Sequence, residues 1–108
     1  RRQRAARVFA MAVGAGLKLT VPAPVVAEWW RGSTDLREDL LRSVDVEPMS
    51  EALGRSAGEA LARVAGASAI DAIVMASAAG RGDVVYTSDD DDLDQLRRVF
   101  PGVRVLRI

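Results

Sequence analysis

Short β-type segments alternate along this chain with stretches that have the apolar spacing of α-helices. Because a helical stretch separates each strand candidate from the next, neighbouring strands can run in the same direction, as in βαβ units. The alternation therefore predicts an α/β fold with a mainly parallel sheet. The strand candidates are residues 17–21, 44–47, 83–87 and 103–107.

Apolar residues at intervals of three and four mark the helices, and capping residues mark several of their starts. Residues 69–81 are apolar on nearly every side, so this helix is expected to be buried. The adjacent Trp29 and Trp30 face different parts of a short helix, which places one in the core and the other at the surface. Helices are expected over residues 4–16, 25–31, 69–81 and 89–99, with two more after the N-caps Ser33 and Ser50.

The composition limits both the number of domains and the kinds of catalysis that the chain can perform. A chain of 108 residues suits one domain, residues 1–108, and its 15 Lys+Arg balance its 15 Asp+Glu. Without Cys or His, disulfides, thiol nucleophiles and imidazole acid–base catalysis are excluded. Any catalysis must use carboxylates, hydroxyls or Arg and Lys. No signal peptide or membrane span is recognisable, so a cytoplasmic protein without membrane partners is expected.

Two carboxylates stand alone in apolar surroundings. Glu28 is the sole charged residue between Lys18 and Arg31, and Asp71 is the sole one between Arg63 and Arg81. A buried carboxylate needs donors, a cation or a proton, and Mg²⁺ or Mn²⁺ is one natural partner.

Asp89 follows a strand, where ligands of parallel α/β sheets bind. We therefore expect Glu28, Asp71 and Asp89 to converge at one end of the sheet. A plainer interpretation also remains open for each. Asp71 lies at the third position of a capped helix, Asp89 can be an N-cap, and Glu28 can reach solvent or an Arg.

Three ordered stretches resemble the PIN domain, specifically the VapC-type ribonuclease toxins of prokaryotic toxin–antitoxin pairs. They are Leu-Thr-Val-Pro at 19–22 followed by Glu28-Trp29, then Ser-Ala-Ile-Asp-Ala at 68–72, then Val-Val-Tyr-Thr-Ser-Asp at 84–89 before the closing strand. The resemblance implies a three-layer α/β/α fold and Mg²⁺- or Mn²⁺-dependent endonucleolytic cleavage of RNA. It also implies metal ligation and catalysis by Glu28, Asp71 and Asp89, with Asp92 as a further ligand and Thr87 as a supporting hydroxyl.

The same resemblance implies partners and a further strand. VapC-like toxins form homodimers and are neutralised by an antitoxin, for which Trp30, Leu36 and Leu40 are candidate contacts. The family pattern also begins with a strand that ends in Asp and lies centrally, between residues 17–21 and 83–87. Because this chain lacks it, we expect an N-terminally incomplete PIN-like domain with four strands visible. Two other functions stay open: a non-enzymatic α/β interaction module whose acids are caps and surface charge, and a phosphatase-like domain using the same carboxylates.

Overall fold

A computed structural model describes residues 2–87 and 90–107 of the chain. Within these residues, six α-helices and one 3₁₀ helix alternate with four short strands. In chain order the elements are α1 Arg2–Gly14, β1 Leu19–Pro22, α2 Ala23–Trp29, α3 Asp35–Arg42, β2 Val44–Glu47, α4 Glu51–Arg63, α5 Ala69–Arg81, β3 Val84–Thr87, the 3₁₀ helix Asp90–Leu93, α6 Asp94–Val99 and β4 Arg104–Arg107. The predicted α/β class is confirmed, with every predicted strand present within two residues of its expected bounds.

The strands form two separate parallel pairs. β1 pairs with β2, with Leu19 opposite Val44 and Pro22 opposite Glu47. β3 pairs with β4, with Val84 opposite Arg104 and Thr87 opposite Arg107. Parallel pairing is therefore confirmed, but among the described residues no ladder of hydrogen bonds joins the two pairs into one sheet.

Two apolar clusters hold the elements together. One surrounds α4 and α5 and includes the fully buried Met75 and Leu96, together with Val85 of β3. The other joins α1, β1 and α2 around Phe9 and Trp29, whose rings meet edge to face with centroids 5.0 Å apart. β1 belongs to the second cluster, whereas β3 contributes to both, with Val85 in the first and the half-buried Tyr86 packed against the second.

The prediction for the two tryptophans agrees with this packing. Trp29 lies in the core with 5% of its surface exposed, whereas Trp30 is half-buried beside it.

Most capping predictions are confirmed. Ser50 accepts a hydrogen bond from the Leu53 N–H, and Ser68 accepts one from the Asp71 N–H. For α3 the prediction was wrong by one residue, because Thr34 accepts from the Arg37 N–H while the Ser33 hydroxyl donates to the Glu38 carboxylate. The final helix is also divided, with a 3₁₀ turn over Asp90–Leu93 before α6.

α5 is the most deeply buried helix of the described chain, as its apolar sequence predicts. Asp71, Ala72, Met75, Ala76, Ser77 and Ala78 are all buried along it. It ends at Gly82, whose φ of 71° is the left-handed conformation that glycine adopts without steric cost. None of the helices in the described residues combines the length and the apolar character that crossing a bilayer requires.

Candidate functional site

A cavity beside α5 is lined by residues of both β1 and β3. Its volume is about 380 Å³. Every residue of 18–22 lines one side and every residue of 83–87 lines the other. The α5 residues Asp71, Val74 and Ser77 also contribute to the wall. The cavity thus occupies the space between two strands that are not hydrogen bonded to each other.

Asp71 reaches this cavity from the first turn of α5. Its backbone N–H donates to the Ser68 hydroxyl over 3.1 Å, which places the residue at the third helical position. The residue is buried, with 5% of its surface exposed, and it lines the cavity. The Ser68 cap therefore fixes the position of the Asp71 backbone at the cavity.

Glu28 reaches the same cavity from α2. This helix begins directly after Pro22, the last residue of β1, and Pro24 stands in its first turn, where a missing N–H costs nothing. Glu28 is half-buried and precedes the buried Trp29. The short connection between β1 and α2 therefore carries Glu28 to the cavity wall.

β3 ends in Thr87, which is 5% exposed and also lines the cavity. Three predicted site residues from three different elements, Glu28, Asp71 and Thr87, thus share one cavity. Asp89 lies outside the described residues. Asp92 lies in the 3₁₀ helix Asp90–Leu93, where only its backbone is described.

The donor chemistry of the cavity suits a hard cation. Carboxylate oxygens are the ligands that Mg²⁺ and Mn²⁺ prefer, and Mg²⁺ is commonly held by one or two carboxylates together with water. Glu28 and Asp71 contribute two such residues to the cavity lining. Among the side chains that the structure describes, however, no group of three acidic residues could hold a metal ion.

Several cavity residues were missed by the sequence analysis. Lys18 and Arg81 add cationic side chains to the wall, and Ser77 and Tyr86 add hydroxyls. Arg81 forms ion pairs with Glu47 and Asp83, whereas the exposed Lys18 lies 3.5 Å from Asp45. The one local signal for this group was the spacing of Ser77 and Arg81, four residues apart on the same face of α5.

The predicted partner contacts lie on and near α3. Leu36 is 69% exposed, Leu40 is half-buried, and no residue of α3 is fully buried. Leu40 and the half-buried Trp30 both pack against the cluster around Phe9. The apolar side chain that faces solvent is therefore Leu36, while Leu40 and Trp30 contribute to the core as well as to the surface.

Comparison with known proteins adds no family assignment to this geometry. No protein-family model matches the chain, and a search of curated proteins finds no match.

Proposed function

We propose that this chain is part of a metal-dependent endoribonuclease of the PIN type, the toxin of a toxin–antitoxin pair. The observation that carries the proposal is the cavity that Glu28, Asp71 and Thr87 line together. These residues come from three elements that are distant in sequence. They are also residues that the resemblance assigns to the active site.

The proposal assigns each residue a role. Glu28 and Asp71 would hold Mg²⁺ or Mn²⁺ through their carboxylates, with Asp89 and Asp92 as further ligands. The bound ion would polarise the scissile phosphate and lower the pKa of a water molecule. Asp71 is held in place by the start of α5, and burial of its surroundings limits the water that competes for its oxygens. Thr87 would position substrate or water through its hydroxyl from the end of β3.

The gap between β1 and β3 supports the finer fold proposal, a three-layer PIN-like arrangement. A strand inserted there would hydrogen bond to both facing edges and join the two pairs into one five-stranded sheet. Unpaired strand edges carry N–H and C=O groups that need partners, so such an insertion is energetically favourable. We propose that an extended segment of the native polypeptide takes this place.

The partner proposals rest on α3 and its surroundings. An antitoxin segment would cover Leu36 and contact the exposed parts of Leu40 and Trp30, because an exposed leucine gains from removal of its surface from water. RNA as substrate, a homodimer and a cytoplasmic location complete the proposal.

One observation favours a second candidate, a non-enzymatic α/β interaction module. The N–H of Asp71 bonds to the Ser68 cap, and a carboxylate at the third helical position stabilises a helix without any catalytic role. The phosphatase-like alternative would use the cavity carboxylates on a small phosphate ester.

Metal titration separates the nuclease from the interaction module. If the cavity binds Mn²⁺, the melting temperature should rise with Mn²⁺ concentration. At a hundred times Kd the stabilisation is about 2.7 kcal/mol, or roughly 10–20 °C for a domain of this size. Asp71→Asn should abolish the rise, while Glu59→Gln, at an exposed position of α4, should leave it intact. An equal rise in all three proteins, or none in the parent, would contradict the metal site.

Polymer substrates then separate the nuclease from the phosphatase. A nuclease shortens single-stranded RNA in a Mn²⁺-dependent way, whereas a phosphatase releases phosphate from an ester and leaves the polymer length unchanged. Single-stranded DNA tests the proposed preference for RNA.

A further inference from the structure

Charge is distributed unevenly over the final part of the chain, although the whole chain is neutral. Residues 83–94 contain six aspartates and no basic residue, whereas residues 95–107 contain four arginines and no acidic residue. Two of these arginines, Arg104 and Arg107, are the first and last residues of β4. Because β4 pairs with β3, it brings both back alongside the strand that leads into the acidic segment.

The register of β3 and β4 places Arg107 beside the candidate site. The Cα atom of Arg107 lies opposite that of Thr87, and each of these residues ends its strand. Residues opposite each other in neighbouring strands are about 4.8 Å apart, and their side chains leave the same face of the sheet. Val85 and Val105, two residues earlier, are also opposite each other, and both pack in the cluster around α4 and α5. Arg107 and Thr87 therefore lie on the face of this strand pair that α5 covers.

The cations in the described lining of the cavity are Lys18 and Arg81, and both have acidic partners. Arg81 donates hydrogen bonds to a set of side chains that we call the Arg81 network, which consists of Ser77, Glu47 and Asp83. Arg81 also precedes β3, whereas Thr87 ends that strand, and the four residues of β3 span about 10 Å. Arg107 is thus the arginine that the register places at Thr87.

The exposure and chemistry of Arg107 suit contact with a phosphate. The residue is exposed, so a ligand can reach its guanidinium from solvent. A guanidinium has five N–H donors in a planar fork that matches two phosphate oxygens. Arg107 also interacts within the chain, but five donors allow it to keep that interaction while it binds a phosphate.

An anionic substrate needs such a cation at this end of β3, because the surroundings are acidic. Asp71 lines the cavity, and four consecutive aspartates stand at positions 89–92, directly after the strand and Ser88. Carboxylates repel the phosphates of a nucleic acid. A fixed positive charge next to Thr87 would offset this repulsion where the polymer approaches the cavity.

We propose that Arg107 binds an RNA phosphate at the candidate site, next to Thr87 at the shared end of β3 and β4. The contact orients the polymer on the protein and carries no base specificity, because every nucleotide has the same phosphate. The identity of the ligand as RNA rests on the proposed nuclease function, whereas the position of Arg107 rests on the strand register.

The test is binding of a fluorescein-labelled single-stranded oligoribonucleotide, followed by fluorescence anisotropy in EDTA. EDTA removes the metal on which the proposed cleavage depends, so affinity is measured apart from the reaction. Arg107→Gln should weaken binding about tenfold, the effect expected for loss of one hydrogen bond between charged groups. Arg104→Gln is the matched control, because it removes an exposed arginine at the opposite end of the same strand, and it should change the affinity much less.

The salt dependence of binding identifies the phosphate as the ligand. Each phosphate contact on a single strand contributes about 0.7 to the slope of log Kd against log salt concentration, because it releases counterions. The slope should fall by about 0.7 in Arg107→Gln and stay near the parent value in Arg104→Gln and in Arg107→Lys, which keeps the charge. DNA of the same sequence should lose as much affinity as RNA, and a loss confined to RNA would overturn the assignment by pointing to the 2′-hydroxyl.

Three other results would overturn the inference while leaving the proposed function intact. They are unaltered RNA affinity in Arg107→Gln, equal losses in Arg107→Gln and Arg104→Gln, and a lower melting temperature of Arg107→Gln with the parent's salt slope. The last result would limit Arg107 to stabilising the β3–β4 pair. Absence of RNA binding by the parent protein would instead contradict the proposed function, and this inference with it.

Discussion

Two serine caps of equal geometry allow a sharp test of whether Asp71 serves the cavity or only the helix. Ser68 caps α5 and Ser50 caps α4, and each hydroxyl accepts a backbone N–H at 3.1 Å. In each case the donor is the residue three positions later, Asp71 for α5 and Leu53 for α4. The difference is that Asp71 lines the cavity, whereas no residue of α4 does.

Replacing either serine cap by alanine should lower the free energy of unfolding by the same amount. Removal of a serine N-cap costs about 1 kcal/mol, which lowers the melting temperature of a domain this size by about 4–8 °C. Ser68→Ala and Ser50→Ala should therefore melt within a few degrees of each other when no metal is added. Thermal unfolding followed by circular dichroism measures both.

The response to Mn²⁺ should distinguish the two cap variants. Ser68→Ala loosens the turn that holds the Asp71 carboxylate in the cavity wall, so its Mn²⁺-induced rise in melting temperature should be smaller than in the parent. Ser50→Ala should keep the full rise. Asp71→Asn retains the backbone N–H that the Ser68 cap needs, yet it should lose the rise. If Asp71→Asn keeps the full rise, or if the two cap variants respond identically, the carboxylate has no role beyond the helix start.

Two further predictions concern packing and the partner surface. Phe9→Ala should destabilise the protein by about 3–5 kcal/mol, because it removes a ring that is 1% exposed and in edge contact with Trp29. The control Val13→Ala, on the exposed side of α1, should change the free energy of unfolding by less than about 0.5 kcal/mol. Comparable losses for the two variants in denaturant unfolding would refute the assignment of Phe9 to the core. Leu36→Ser should leave the unfolding free energy nearly unchanged, because the side chain is 69% exposed. The same variant should weaken dimerisation, measured by sedimentation, or antitoxin binding, measured by calorimetry. Unaltered association would exclude Leu36 from the partner surface.

Much of the candidate site could be predicted because its signals are local. Glu28 and Asp71 stand out as carboxylates in apolar sequence, and both line the cavity. Thr87 ends a strand whose β-branched residues identify it. The Arg81 network could not be predicted, because Glu47 is separated from Ser77 and Arg81 by 30 and 34 residues and no local pattern connects them.

The same contrast between local signals and long-range contacts applies to the fold as a whole. Local sequence signals were enough to locate the strands and most helices, because caps, apolar spacing and the terminal Gly82 act between residues a few positions apart. The shift of the α3 cap from Ser33 to Thr34 shows the limit of that reasoning, because adjacent hydroxyls offer nearly equal caps and the surrounding contacts choose between them.

The pairing of the strands, the cavity lined by β1 and β3, and the arginine that contacts acids near both pairs all depend on long-range packing. These features depend on how helices pack across the molecule. Each short strand could hydrogen bond to any other, so its neighbour is set by the burial of apolar surface and not by its own residues.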